Sequence, residues 1–295
     1  MALPSVKNAT FTIKVQEFQK PIKIRPMILA EHKAIQMSTD VGQESDVALT
    51  IANVTASCTD GLVTAQSVPQ YLLDFVFLQL YISSVENVIN SRYRCYGHLK
   101  DEEGNLKYDE ETKDPIVCDN SIEVKIPLDM ATIIYPEEFN DLKVIQITDT
   151  VKLHLKSLSL QNNLDVSELR VKIVDIINEI DEISIAKEEG PDEADKAKIK
   201  ELTDQLIGMR QEIKDLYFYY SVDHIEDADN IYKPETDFNL QEFLEWSGNC
   251  PSSSFNRLED FYQNVPTVGM DLHIQCPKCG NKSDTKLRGL KDFFS

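Results

Sequence analysis

The sequence predicts an α+β protein: a helical layer on an antiparallel sheet, a long helical hairpin insertion, and a C-terminal segment of helices and a zinc-ribbon-like turn. Three observations predict it. Apolar residues recur at helical spacing between residues 27 and about 88. From Tyr93 to Ile134 the period shifts towards two, the mark of half-buried strands. Helical periodicity then returns in two long runs between 164 and 219, on either side of Gly190-Pro191. With 295 residues, 42% of them hydrophobic and 27% charged, the chain has the composition of a folded protein with a sizeable core.

The first element follows from alternation. Residues 9 to 25 alternate apolar and polar on both sides of Gln19-Lys20-Pro21, a β-hairpin that Arg25-Pro26 stops. "MILAEHKAIQMSTD" and "ESDVALTIANVTASC" then read as helices, the second opening on Glu44-Ser45-Asp46 as its cap. A third helix follows Ser67-Val68-Pro69 and runs to about Val88, apolar almost all round and therefore central. Between Tyr93 and Ile134 two strands are joined by a long acidic loop, and "DLKVIQITDTVKLHLKSLSL" adds one or two more strands.

The insertion carries a broad stripe of Val166, Leu169, Val171, Ile173, Ile176, Ile177, Ile180 and Ile183. Its second helix answers with Ile199, Leu202, Leu206, Met209, Ile213 and Leu216. Two such stripes joined by a Gly-Pro break predict an antiparallel helical hairpin with a coiled-coil-like seam. "VDHIEDADNIYKPETDF" reads as a linker. Beyond it lie a helix burying Leu240, Phe243, Leu244 and Trp246, and another, capped by the serines at 252 to 254, burying Phe255, Leu258, Phe261 and Tyr262. Two strands, "GMDLHIQC" and "SDTKLRGL", bracket the last cysteines. The expected division is residues 1–160, an N-terminal α+β domain; 161–222, the helical hairpin; and 223–295, the C-terminal helices and ribbon.

Charge narrows the function classes. Fifty acidic against 30 basic residues give a net charge of −20 and a pI near 4.6. That balance repels phosphate backbones and anionic lipid, which predicts no nucleic-acid partner. The longest apolar stretch, Tyr71 to Ile82, is too short for a bilayer and contains Asp74 and Gln79, so no membrane association is expected. The N-terminus lacks the pattern of a secretion signal, and the protein is expected in the cytoplasm where it is made.

Six cysteines (Cys58, Cys95, Cys118, Cys250, Cys276, Cys279) in a chain of this length do not make a disulfide scaffold. Cys276-Pro277-Lys278-Cys279-Gly280 is a knuckle whose two thiolates can face one Zn²⁺, with a glycine to relieve the turn. A structural zinc needs four ligands. Cys95 and Cys118, on opposing arms of one hairpin, are the natural second pair, while Cys250 and His273 remain alternatives. The competing reading is a tight turn without metal; Cys58 reads as a small buried hydrophobe. A thiol redox pair would sit where a helix begins after a strand, and here strands flank the knuckle.

Catalysis is not expected. The five histidines (His32, His98, His154, His224, His273) are scattered through different elements, and no HExxH, GxSxG, phosphate loop or GxGxxG is present. Glu137 and Glu138 read as solvated surface and His154 as an ordinary strand histidine. The aromatic run at 216–220 reads as a helix end packed on the body. The one locally basic piece, Lys278, Lys282, Lys286, Arg288 and Lys291, is short and has no interleaved aromatics, which leaves a nucleic-acid-binding ribbon as the weaker alternative.

The ordered series of motifs resembles the baseplate hub assembly protein family of T-even-like contractile-tailed phages. At the C-terminus it comprises Ile231-Tyr232, a helix with Phe243, a Pro-Ser break, Phe261-Tyr262, Pro266, the Cys276/Cys279 knuckle, Leu287, Gly289, Leu290 and Phe293-Phe294. At the N-terminus it comprises the opening hairpin into "IKIRPMILAEHKAIQM", "LQLYISSVENVI", and the Cys95–Cys118 hairpin into "IEVKIPLDMATI". The similarity covers most of the chain outside roughly 161–222. The resemblance implies a late, non-enzymatic phage protein that helps build the hub of the tail baseplate. Its partners would be phage tail and baseplate hub proteins, met in the host cytoplasm as an assembly chaperone or retained in the virion as a structural component.

Overall fold

The structure, a computed structural model, describes residues 9–101, 103–185 and 192–294; the Gly190-Pro191 break and the first eight residues lie outside them. Alternation near the N-terminus produces β1 (Phe11–Ile13) and β2 (Ile22–Ile24), antiparallel with Phe11 opposite Ile24. Ile22 and Ile24 turn inward and are fully buried. The next helix, α1 (Leu29–Val41), is started by Glu31, whose carboxylate accepts from the Ile28 N–H at 2.9 Å and from Arg25 at 2.6 and 2.9 Å. In α2 (Glu44–Cys58) the expected acidic cap is not made. Gln43 is the capping position and has no side-chain bond, while Glu44 and Asp46 lie inside the first turn, where they face the positive end of the helix dipole.

Helix α3 (Gln70–Ser84) buries Leu72, Leu73, Val76, Phe77, Leu78 and Leu80, as expected of a central helix. It ends short of Val88. The hydroxyls of Ser83 and Ser84 fold back on the Leu80 carbonyl, and Val88 already opens β3 (Val88–Arg94). Its partner is β4 (Ser121–Pro127), in register from Val88 opposite Pro127 to Arg94 opposite Ser121. The second predicted strand is divided. Pro127 has no N–H to continue a ladder, the chain makes a 3-10 turn at Leu128–Met130, and β5 (Thr132–Ile134) leaves to join a C-terminal strand.

A short α4 (Phe139–Leu142) precedes the hairpin of β6 (Val144–Gln146) and β7 (Lys152–Leu155). The two predicted long helices follow as α5 (Leu160–Ile185) and α6 (Glu193–Ser221), which pack against each other. Asp192 caps α6, accepting from the N–H groups of Ala194 and Asp195. Across the seam Lys198 meets Glu179 at 2.6 Å and Arg170 donates to the Tyr217 hydroxyl at 2.7 Å. Leu202 and Leu206 are buried as the stripe requires, but Val171 points away from the seam, 57% exposed.

The expected linker is instead a pair of strands. β8 (Val222–Glu226) starts where α6 ends, and β9 (Ile231–Tyr232) pairs beside it, giving an antiparallel sheet in the order β6-β7-β8-β9. Register shifts between His154 and Leu155, leaving Asp223 as the extra residue of a bulge. That extra residue breaks the alternation between Val222 and Ile225, both buried, and so hides the strand from a period-two reading.

Helix α7 (Leu240–Gly248) has a capping box, in which Asn239 accepts from Glu242 N–H and Glu242 accepts from Asn239 N–H. The serines at 252–254 do not cap the next helix. Ser252–Phe255 is a separate 3-10 turn, and α8 (Leu258–Gln263) starts from Arg257. The chain ends with β10 (Thr267–Gln275), β11 (Lys282–Arg288) and α9 (Gly289–Phe294). β10 lies between β11 and β5, so the terminal hairpin shares a sheet with a strand more than a hundred residues earlier.

Among the described residues, three large apolar clusters hold these layers together. One joins β2, α2 and one side of α3, and another joins a second side of α3, through Leu78, to Leu128, Val268, Leu287 and Phe293. The third packs the inner face of the four-stranded sheet (Ile145, Leu153, Leu155, Val222, Ile225) against the end of α6, Phe243 and Phe261. Helices thus lie on antiparallel sheets, and the molecule is α+β as its sequence predicts.

Candidate metal centre

Backbone pairing carries the four predicted cysteines to one place. Beyond Arg94 the β3–β4 ladder continues, with Cys95 N–H donating to Asn120 O at 2.9 Å, Asp119 N–H to Cys95 O at 3.1 Å and Cys118 N–H to Gly97 O at 2.7 Å. Cys95 and Cys118 therefore sit side by side although 22 residues separate them in sequence. Opposite them the β10–β11 tip folds into the knuckle. Cys276 N–H donates to Asn281 O at 2.8 Å, and Gly280 N–H to Cys276 O at 2.9 Å, with Gly280 at a φ of 72° that favours glycine. The two hairpins are joined further by the Tyr93 hydroxyl and Ser283 Oγ, 2.8 Å apart.

The Sγ atoms of Cys95, Cys118, Cys276 and Cys279 all lie within 4.8 Å of one another. Cys95 and Cys279 are 3.6 Å apart, and Cys118 and Cys276 are 3.8 Å apart. A disulfide needs about 2.05 Å, and all four are free thiols. A tetrahedral ion with Zn–S bonds of about 2.3 Å places its sulfurs about 3.8 Å apart, so the spacing and the donor chemistry both fit zinc. The alternatives fall elsewhere. Cys250 packs in the aromatic core with Sγ 3.4 Å from the Trp246 carbonyl, and His273 is 80% exposed and bonded to Asp284 at 2.6 Å.

Burial shapes the chemistry of this cluster. It pushes the Cys95 thiol up to about 12, and it raises Cys118 as well. Burial also opposes ionisation of Cys276, but there the N–H groups of Cys279 and Lys278 and the neighbouring Cys95 and Cys279 thiols outweigh it, holding Cys276 down to about 6. Cys276 is thus poised to ionise beside Cys95 and Cys118, which burial keeps protonated, and a divalent cation would invert that preference by binding thiolates.

The two halves of this cluster, Cys95 with Cys118 and Cys276 with Cys279, come from opposite halves of a chain that a single family model, described as T4 bacteriophage base plate protein, matches over residues 7–295. The chain belongs to that family. No curated protein and no solved structure matches it. The family match takes in both pairs of clustered cysteines and also runs through the helical hairpin, which the motif resemblance left out.

Elsewhere in this baseplate-family protein, the other residues read from sequence occupy plainer settings. Cys58 is buried beside Glu31 and raised to about 12, chiefly by desolvation. Phe218 and Tyr219, in the aromatic run at the end of α6, pack on Phe243 with ring centroids 4.8 and 5.9 Å apart. A cleft of about 930 Å³ opens between the start of α3, the end of α6 and α8, where Asp74, Lys214, Tyr217, Phe261 and Tyr262 meet. Desolvation pushes Asp74 up to about 7. Among the described residues no helix is long and apolar enough to cross a membrane.

The expectation of scattered histidines does not hold for two of them. His154 and His224 stack face to face across β7 and β8, with centroids 4.0 Å apart and planes at 13°. The helical hairpin lies between them in sequence and hid the pairing, since only strand register makes them neighbours. An available signal was the "HxE" of His224 and Glu226, a two-residue spacing that puts both on one face of a strand.

Proposed function

We propose that this phage baseplate protein acts without catalysis, through protein–protein contacts, in assembling the hub of the tail baseplate. In this reading it is an assembly factor or chaperone that meets tail and hub proteins in the host cytoplasm. The observation that carries the reading is the family match from residue 7 to 295. The hairpin supports it. Its two helices, about 39 and 43 Å long at 1.5 Å per residue, satisfy their seam against each other, while Val171, Val174 and Ile207 are left 57%, 54% and 61% exposed. Exposed aliphatic side chains on a pair that is already packed suit the capture of a partner's apolar surface.

A structural Zn²⁺ bound by Cys95, Cys118, Cys276 and Cys279 belongs to the same proposal. The ion would supply four bonds joining the β3–β4 loop to the β10–β11 tip. The residues themselves do the positioning: paired backbones set the two Cys95/Cys118 donors, and the Gly280 turn sets the other two. Nucleic-acid binding gains little support, because Arg288 is paired with Asp271 at 2.7 Å and Lys291 with Glu44 at 2.7 Å.

The second reading, a structural component kept in the virion, is favoured by the baseplate description of the family itself. Quantitative mass spectrometry of purified virions, run beside affinity capture from infected cells, separates the two. Absence from virions with a tail protein captured in the lysate is the expected result. Stoichiometric presence in virions overturns the chaperone reading in favour of the structural one.

A further inference from the structure

We propose that His154, His224 and Glu226 form a second metal site, on the outer face of the β6–β9 sheet, for a divalent transition ion of the zinc type. The site is assembled by strand register. His154 lies directly opposite His224, and Glu226 is two residues further along β8, so all three project from the same face, away from buried Leu153, Val222 and Ile225. Their donor atoms lie within 4.8 Å of one another, and Nε2 of His154 is already 2.8 Å from Oε2 of Glu226. An ion with bonds of about 2.0 to 2.1 Å needs donors roughly 3.3 Å apart, a distance that small side-chain rotations reach on a face where none of the three is fully buried.

Two features single this cluster out from a chance meeting of polar groups. First, Nδ1 of His224 is 2.8 Å from a carboxylate oxygen of Asp223, the extra residue of the bulge. A carboxylate accepting from Nδ1–H fixes the tautomer that presents Nε2 as a ligand, the arrangement by which metal-binding histidines are oriented. Second, Oε2 of Glu226 lies 2.8 Å from Nε2 of His154, which sets a carboxylate oxygen beside an imidazole donor on the same strand face. Two imidazoles and one carboxylate match zinc and its neighbours in the transition series, whereas magnesium and calcium take oxygen donors.

The position gives such an ion a mechanical consequence. β7 leads into α5 and β8 leaves α6, so the ion would clamp the two strands at the root of the helical hairpin. This site is independent of the cysteine cluster, which lies on other hairpins. The full-length protein is equilibrated with Zn²⁺, freed of excess, and its metal content is measured beside a Zn²⁺ titration isotherm. The doubly substituted His154→Ala/His224→Ala protein is expected to bind one ion fewer per chain than wild type, and Cys276→Ser/Cys279→Ser is expected to retain that histidine-dependent ion.

Asp223→Asn should weaken the histidine-dependent step by about 10- to 100-fold. Glu226→Gln and His154→Gln, close in size to the originals, repeat the comparison if the double variant fails to fold. Zn²⁺ content and isotherm identical to wild type in the folded histidine variants overturn the proposal and leave the cluster as a cross-strand polar pair.

Discussion

Gly97 shows how closely the two cysteine-bearing hairpins approach. A Cβ built there would lie 2.6 Å from Cβ of Asn281, the residue whose carbonyl accepts from Cys276. Gly97→Ala is therefore expected to push the hairpins apart, costing about 1–3 kcal/mol and lowering both the melting temperature and the zinc bound by the cysteines. At the start of α1, Glu31 lies well below its ordinary 4.5, at about 2, first because of its hydrogen bonds from Arg25 and then through the Ile28 N–H and Ser57, against an opposing desolvation. A depressed folded value means that the stabilisation is complete above about 4.5 and disappears as pH falls towards about 2. The shift corresponds to on the order of 3 kcal/mol. Glu31→Gln should flatten the acid limb of a stability–pH profile over that window, measured by urea unfolding at each pH. An unchanged acid limb would exclude Glu31 as its source.

Among the elements, the β10–β11 hairpin does two jobs. Its base pairs with β5 in a sheet, and its tip meets Cys95 and Cys118. Removing the tip thiols should release the loop at one end only. Cys276→Ser with Cys279→Ser is expected to cost about 3 kcal/mol or more, a fall of roughly 5–10 °C in melting temperature. Hydrogen exchange should quicken in residues 95–120 and 275–282 while the four-stranded sheet stays protected. A double variant that melts with wild type would remove the structural metal from the account. α3 was legible because it is apolar on nearly every side, and the long helices because their stripes run for many turns. β8 was not legible, since its bulge breaks the alternation, and β5 was hidden inside a longer strand pattern that Pro127 interrupts.

On the scale of the whole molecule, α5 and α6 join the body at their base through Leu160, Leu164 and the aromatic end of α6. Changing Val171, Val174 and Ile207 together to Glu should leave thermal stability nearly unchanged, because all three are exposed, and should abolish capture of tail proteins from infected-cell lysate. Capture at wild-type levels by the folded triple variant would move the docking surface elsewhere.

By itself the sequence determined the α+β class, the three opening helices, the hairpin seam and the Cys276/Cys279 knuckle. These rest on local periodicity and on spacing, which a chain carries without knowing its neighbours. Only the tertiary structure decided that Cys95 and Cys118, and not Cys250 or His273, complete the cluster, and that His154 meets His224. Both outcomes depend on strand pairing between distant segments, β5 with β10 for the cysteines and β7 with β8 for the histidines, set by which faces bury apolar side chains, and no local pattern records that choice.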